Sequence, residues 1–117
     1  MIEARLRKIV DEYPDIIKGI ERLEISEEDQ IAKLKAKLLL FDGNILWIRE
    51  IWVKEAMEAY SYYWLRPDGT VMIGWDNAPH HKEIKTFPHH RHGGNEVEIS
   101  QETDLAKVLS FIKNYVG

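Results

Sequence analysis

The chain contains no cysteine. That excludes disulfides, thiolate nucleophiles and cysteine-based zinc sites. A basic excess is missing too: 16 Lys and Arg stand against 20 Asp and Glu, for a net charge of −4 with histidine neutral. Indiscriminate nucleic-acid binding draws on such an excess, so any contact with phosphates has to be local. No run approaches the ~20 apolar residues of a membrane span. The first residues lack the charged-then-apolar layout of a signal peptide. Together these absences lead us to expect a cytoplasmic protein with no membrane partner. Proline is scarce, and two of the four prolines, Pro79 and Pro88, fall in one short window.

What is present suits a single globular domain spanning residues 1–117, with 44% hydrophobic residues. A chain of that length hides roughly two-thirds of its unfolded surface on folding. Ile2, Leu6, Ile9 and Val10 recur at helical spacing, and Tyr13-Pro14 ends that segment. Residues 16–25 fit either period and are read as a strand entering a turn at Ser26-Glu27-Glu28-Asp29. From Ala32 to Leu40, apolar residues alternate with Lys33, Lys35 and Lys37, the period of a half-buried strand. Asp42-Gly43, Lys54-Glu55 and Pro67-Asp68-Gly69 read as reversals between the runs Ile45–Val53, Met57–Leu65 and Thr70–Trp75. Glu96 to Ser100 is a short extended piece. Leu105, Val108, Leu109 and Ile112 form a helical stripe behind Thr103, which suits an N-cap. The expected fold is α+β: a four- to five-stranded antiparallel meander sheet, with N-terminal and C-terminal helices packed on one face.

Chemistry concentrates between Trp75 and His92, where all five histidines lie within thirteen residues. Pro79 precedes His80-His81, and Pro88 precedes His89-His90-Arg91-His92, ahead of Gly93-Gly94. A proline fixes φ, so each pair is held at little entropic cost. The region from Asp76 to Gly94 reads as a long loop, and long ordered loops in compact domains are more often functional than decorative.

Three readings stay open. Some of these imidazoles act as general acid and base, as metal-free cleavage of RNA requires, with Arg91, Lys82 and Lys85 near enough in sequence to hold phosphate. Tyr60, Tyr62, Trp64 and Trp75 would then stack bases. In the second, three histidines with Asp76 hold a metal ion such as zinc, although the spacing matches no standard histidine motif. In the third, the loop is structural or docks on a partner. No organic cofactor is expected. Core packing is the simpler account of Trp47, Trp52 and Trp64. Glu50 is either a buried carboxylate working with the loop or, the favoured reading, an ion-pair partner of Lys35 or Lys37. The lysine stripe is first a solvated face, and second a track for a phosphate backbone.

The run Tyr62-Tyr63-Trp64, Pro67-Asp68-Gly69, Trp75-Asp76-Asn77-Ala78-Pro79-His80-His81 and Thr86-Phe87-Pro88-His89-His90-Arg91-His92 resembles the TumE family of prokaryotic toxin–antitoxin systems. The resemblance covers roughly residues 30 to 112. It implies a small host-inhibiting toxin, neutralised by a cognate antitoxin, with activity on RNA or nucleotides as the expectation. It carries Asp76, His80, His81, His89, His90 and His92 over as candidate functional positions, with Glu50 and Arg91 behind them. A ribonuclease is therefore the leading expectation. Flat antiparallel edge strands favour a homodimer.

Overall fold

The computed structural model describes residues 1–78, 88–93, 96–99 and 102–116. Helix α1 (Ile2–Asp11) is followed by strands β1 (Ile17–Glu28), β2 (Ile31–Leu40), β3 (Ile45–Val53), β4 (Ala56–Leu65), β5 (Val71–Asp76), β6 (His90–Gly93) and β7 (Glu96–Ile99), then helix α2 (Leu105–Val116). The strands form one antiparallel sheet whose spatial order is the chain order, β1 to β7. The meander is thus longer than the expected four to five strands. The ambiguous segment after Pro14 becomes a twelve-residue edge strand. The four residues of β6, HRHG, show no apolar alternation, so no periodicity could announce them.

Two hairpin loops need no glycine. Asp29 and Gln30 have φ of 51° and 67°, and Lys54 and Glu55 have 52° and 76°. Two adjacent left-handed residues give the turn whose twist matches that of the flanking strands. At the reversal between β2 and β3, Asp42 Oδ1 accepts the backbone N–H of Asn44 (2.9 Å), and Gly43 supplies φ of 88°.

One face of the sheet is covered by both helices. Leu34, Ala36, Leu38, Leu46, Ile48, Tyr60, Tyr62, Trp64 and Trp75 are buried against Ile2 and Leu6 of α1 and Leu105, Val108, Leu109 and Ile112 of α2. Trp64 meets Tyr115 edge-on at 5.2 Å, and Trp75 meets Phe111 at 5.4 Å. Each such ring removes roughly 150–250 Å² from water, on the order of 4–6 kcal/mol at about 25 cal/mol per Å². This corrects the expectation that Tyr60, Tyr62, Trp64 and Trp75 stack bases: they are the core beneath the helices. The cap of α2 also moves by one residue. Asp104, not Thr103, receives the Lys107 backbone N–H at 2.9 Å. The opposite face carries the residues of the other phase, and the candidate site lies there.

Candidate functional site

Strand register sets the site. Lys35 pairs with Arg49, Arg49 with Ser61, Ser61 with Asp76, and Asp76 with His90. The adjacent row runs Lys37, Trp47, Tyr63, Gly74, His92. Because side chains alternate between faces, both rows point away from the helices. One end of this open face is cationic and aromatic. Lys33, Lys35 and Arg49 are exposed, and half-buried Trp47 has the Nζ of both Lys35 and Lys37 at 5.7 Å from its ring. Lys37 also bonds Glu21 at 3.3 Å. The other end is a buried carboxylate between two imidazoles.

Asp76, 7% exposed, is the last residue of β5. Its Oδ1 accepts the backbone N–H of Ala78 (3.0 Å), and its Oδ2 accepts the Tyr63 hydroxyl (2.8 Å). His90 Nε2 lies 2.7 Å from Oδ1 and His92 Nε2 lies 3.2 Å from Oδ2. The two imidazoles stand edge to face, 4.7 Å apart. His90 is 2% exposed, and its Nδ1 is 2.9 Å from the carbonyl oxygen of Pro88. A carbonyl and a carboxylate both only accept, so each ring nitrogen of His90 faces an acceptor. His92 is less enclosed, with its side chain 24% exposed.

Tyr63 and Gly74 build one wall. The Tyr63 ring stacks on His92 at 6.0 Å. A Cβ on Gly74 would collide with the Cδ1 and Cε1 atoms of Tyr63. Only a residue without a side chain lets Tyr63 cross the strand here and reach Asp76. Burial, then the bond to Asp76, pushes the Tyr63 hydroxyl up, so it stays protonated and donates.

The candidate residues therefore divide between faces. Asp76, His90 and His92 come together on the open side. His89 turns to the helix side, where its ring stacks on Tyr60 at 5.8 Å and its Nδ1 lies 2.8 Å from the Tyr60 hydroxyl. Burial pushes that hydroxyl up to about 12. Arg91 also faces α2, with its guanidinium carbon 5.9 Å from the Phe111 ring, so it does not share the face of His90 and His92. His90 and His92 belong to a strand rather than to the long loop expected there. His80 and His81, with Lys82 and Lys85, lie outside the described residues.

Glu50 also differs from expectation. Its strand phase puts it under the helices, with the lysine stripe on the other face. It accepts the Tyr62 hydroxyl at 2.6 Å and the Trp52 indole N–H at 3.0 Å, and no ion pair to Lys35 or Lys37 forms. Sequence reasoning missed Tyr63 and Gly74. Tyr63 lies out of phase with Tyr62 and Trp64, a signal that could have assigned it to the open face. Gly74 needed the strand pairing.

The donor set of Asp76, His90 and His92 suits a metal ion as well as proton transfer: their ligand atoms all lie within 4.8 Å of one another. Among the described residues no helix is long and apolar enough to cross a membrane.

No curated protein and no solved structure matches the chain. The family described as toxin TumE matches residues 6–116, so the chain belongs to the TumE family of toxins.

Proposed function

We propose that this TumE-family chain is a toxin that binds a single strand of RNA across the open face of its sheet and cleaves it at Asp76, His90 and His92. The observation that carries the reading is the register row Lys35–Arg49–Ser61–Asp76–His90. It joins exposed cations to a buried Asp–His centre over about 14 Å, at ~4.8 Å per strand. Cations and an aromatic on an open sheet face fit the phosphates and bases of a single strand. They also answer the objection of net negative charge, because the cations are local.

In the cleavage step, the RNA 2′-oxygen attacks the adjacent phosphorus while its proton passes to an imidazole. The P–O5′ bond breaks and the departing 5′-oxygen takes a proton. A 2′,3′-cyclic phosphate and a 5′-hydroxyl result. His92, the more exposed of the pair, exchanges the proton. Asp76 orients its ring and stabilises the imidazolium, and His90 and Tyr63 hold Asp76. His80 and His81 are the candidates for the second proton. Arg91 is not needed to hold phosphate, since Arg49 and Lys35 lie on the same face as His92.

A cognate antitoxin would neutralise this activity by covering the same face. The test is to express the chain alone and with its genetic neighbour, then sequence the termini of cellular RNA. New ends with cyclic phosphates, absent for His92→Ala and suppressed by the neighbour, support the reading. Growth arrest with unchanged RNA termini would sink it and leave a docking protein.

A further inference from the structure

We infer that Asp76, His90 and His92 form a binding site for one divalent first-row transition-metal ion, of the zinc, iron(II) or cobalt(II) class. The inference concerns the same centre as the proposed RNA cleavage, but its argument needs no substrate.

His90 is the first ligand. Its ring is almost fully enclosed, and both ring nitrogens face acceptors: Nδ1 the Pro88 carbonyl at 2.9 Å, Nε2 the Asp76 carboxylate at 2.7 Å. Neutral imidazole has only one N–H. With that hydrogen on Nδ1, a lone pair on Nε2 would face carboxylate lone pairs at 2.7 Å, a repulsion that a positive group shared by both relieves. Either an extra proton or a cation serves. His92 favours the cation. It brings a second Nε2 to the other oxygen of the same carboxylate, at 3.2 Å. Two imidazole nitrogens and a carboxylate oxygen thus lie within 4.8 Å of one another.

Such an ion binds nitrogen and oxygen ligands at about 2.0–2.2 Å, so it keeps them roughly 3–4 Å apart. The observed contacts of 2.7 and 3.2 Å, within a group spanning at most 4.8 Å, straddle that range. The outer contacts are those a metal site needs. Pro88 fixes the His90 tautomer with Nε2 outward, and Tyr63 and the Ala78 N–H orient the carboxylate. Among the described residues three ligands from two strands are at hand, the number that catalytic sites use beside an open position. The row of cations leads to that opening, so a phosphate oxygen of a bound strand is the natural occupant. Two imidazoles with one carboxylate select a first-row transition ion over Mg²⁺ or Ca²⁺, which prefer oxygen alone.

Ion binding and proton transfer at His92 use the same lone pair and exclude each other. An ion held by Asp76, His90 and His92 would itself supply the proton-transfer chemistry in place of His92.

The test uses the full-length chain, stripped by a chelator and titrated with cobalt(II). The expected result is one equivalent bound per chain, with a visible absorption band and a raised Tm. His90→Ala and His92→Ala should abolish the band, while His89→Ala keeps it. Tyr63→Phe should weaken binding about 10–100-fold, as loss of a contact that orients a ligand does. His92→Ala is the safer probe, because His92 is partly exposed and its loss leaves the core intact. Absence of stoichiometric binding, or a band that survives both His90→Ala and His92→Ala, overturns the inference. RNA termini report separately on the proposed function: cobalt bound without new termini keeps the metal site and removes the RNA reading, and the reverse pattern does the opposite.

Discussion

Two carboxylates are equally buried on opposite faces of one sheet. Asp76 and Glu50 are each 7% exposed. Glu50 lies under the helices and accepts from the Tyr62 hydroxyl and the Trp52 indole. Burial, and then the Glu50 charge itself, pushes the Tyr62 hydroxyl up. Those partners are donors that hold their hydrogens, so the Glu50 group is a closed, structural network. Asp76 meets two imidazoles, groups that can both donate and accept a proton and can bind metals. The difference teaches that burial of a carboxylate does not mark a working site. The chemistry of its partners does, together with the face it opens on.

The comparison breaks most sharply at Asp76. Asp76→Asn and His92→Ala should each lower RNA cleavage on the order of 10²–10⁴-fold, the usual span for acid–base groups, with circular dichroism unchanged. Activity retained in both would end the distinction. Next comes the wall of the site. Gly74→Val must displace Tyr63, and a misplacement of about 1 Å can cost about 10²-fold in rate; a kinetic assay on the folded variant reads it. Glu50 should behave in the opposite way. Glu50→Ala strands the Tyr62 and Trp52 donors in the core and should cost about 1–3 kcal/mol. At roughly 4–8 °C per kcal/mol, the thermal melt shows it, while activity per folded molecule stays at the parent level.

The open face should announce itself through salt. Replacing Lys33, Lys35 and Arg49 by Gln should lower the slope of log affinity against log salt by about 2, at roughly 0.7 per lost phosphate contact on a single strand. Titrations with a labelled RNA oligomer at several salt concentrations measure it. An unchanged slope would show that the strand runs elsewhere. The smallest effect is alkaline. Tyr60, Tyr62 and Tyr63 all have hydroxyls pushed above the ordinary 10.0, chiefly by burial. A raised folded value favours the neutral phenol, so this contribution to stability is complete below pH about 10 and is lost as pH rises through the folded values, about 12 for Tyr60. Tyrosine absorbance should therefore show these three ionising together with unfolding. Independent ionisation in the native state would contradict their burial.

Much of the frame was legible in the residues. The apolar–lysine alternation of β2, the reversals at Asp42-Gly43, Lys54-Glu55 and Pro67-Asp68-Gly69, and the stripe of α2 each have a period or a turn chemistry of their own. The HRHG strand has neither, which is why it read as loop. The site was half legible. Clustering singled out Asp76, His90 and His92, but it offered His89 on equal terms and Arg91 close behind.

Sequence alone determined that this is an α+β chain without thiol chemistry, whose candidate reactive groups crowd the Trp75–His92 window, and that it resembles a toxin family. Those conclusions rest on composition, periodicity and local motif, which are properties of neighbours along the chain. Tertiary structure decided which imidazoles share a carboxylate, that the tyrosine–tryptophan face is core, and that the lysine stripe shares the open face with Asp76. These depend on strand register, where a shift of one residue sends every side chain to the other face.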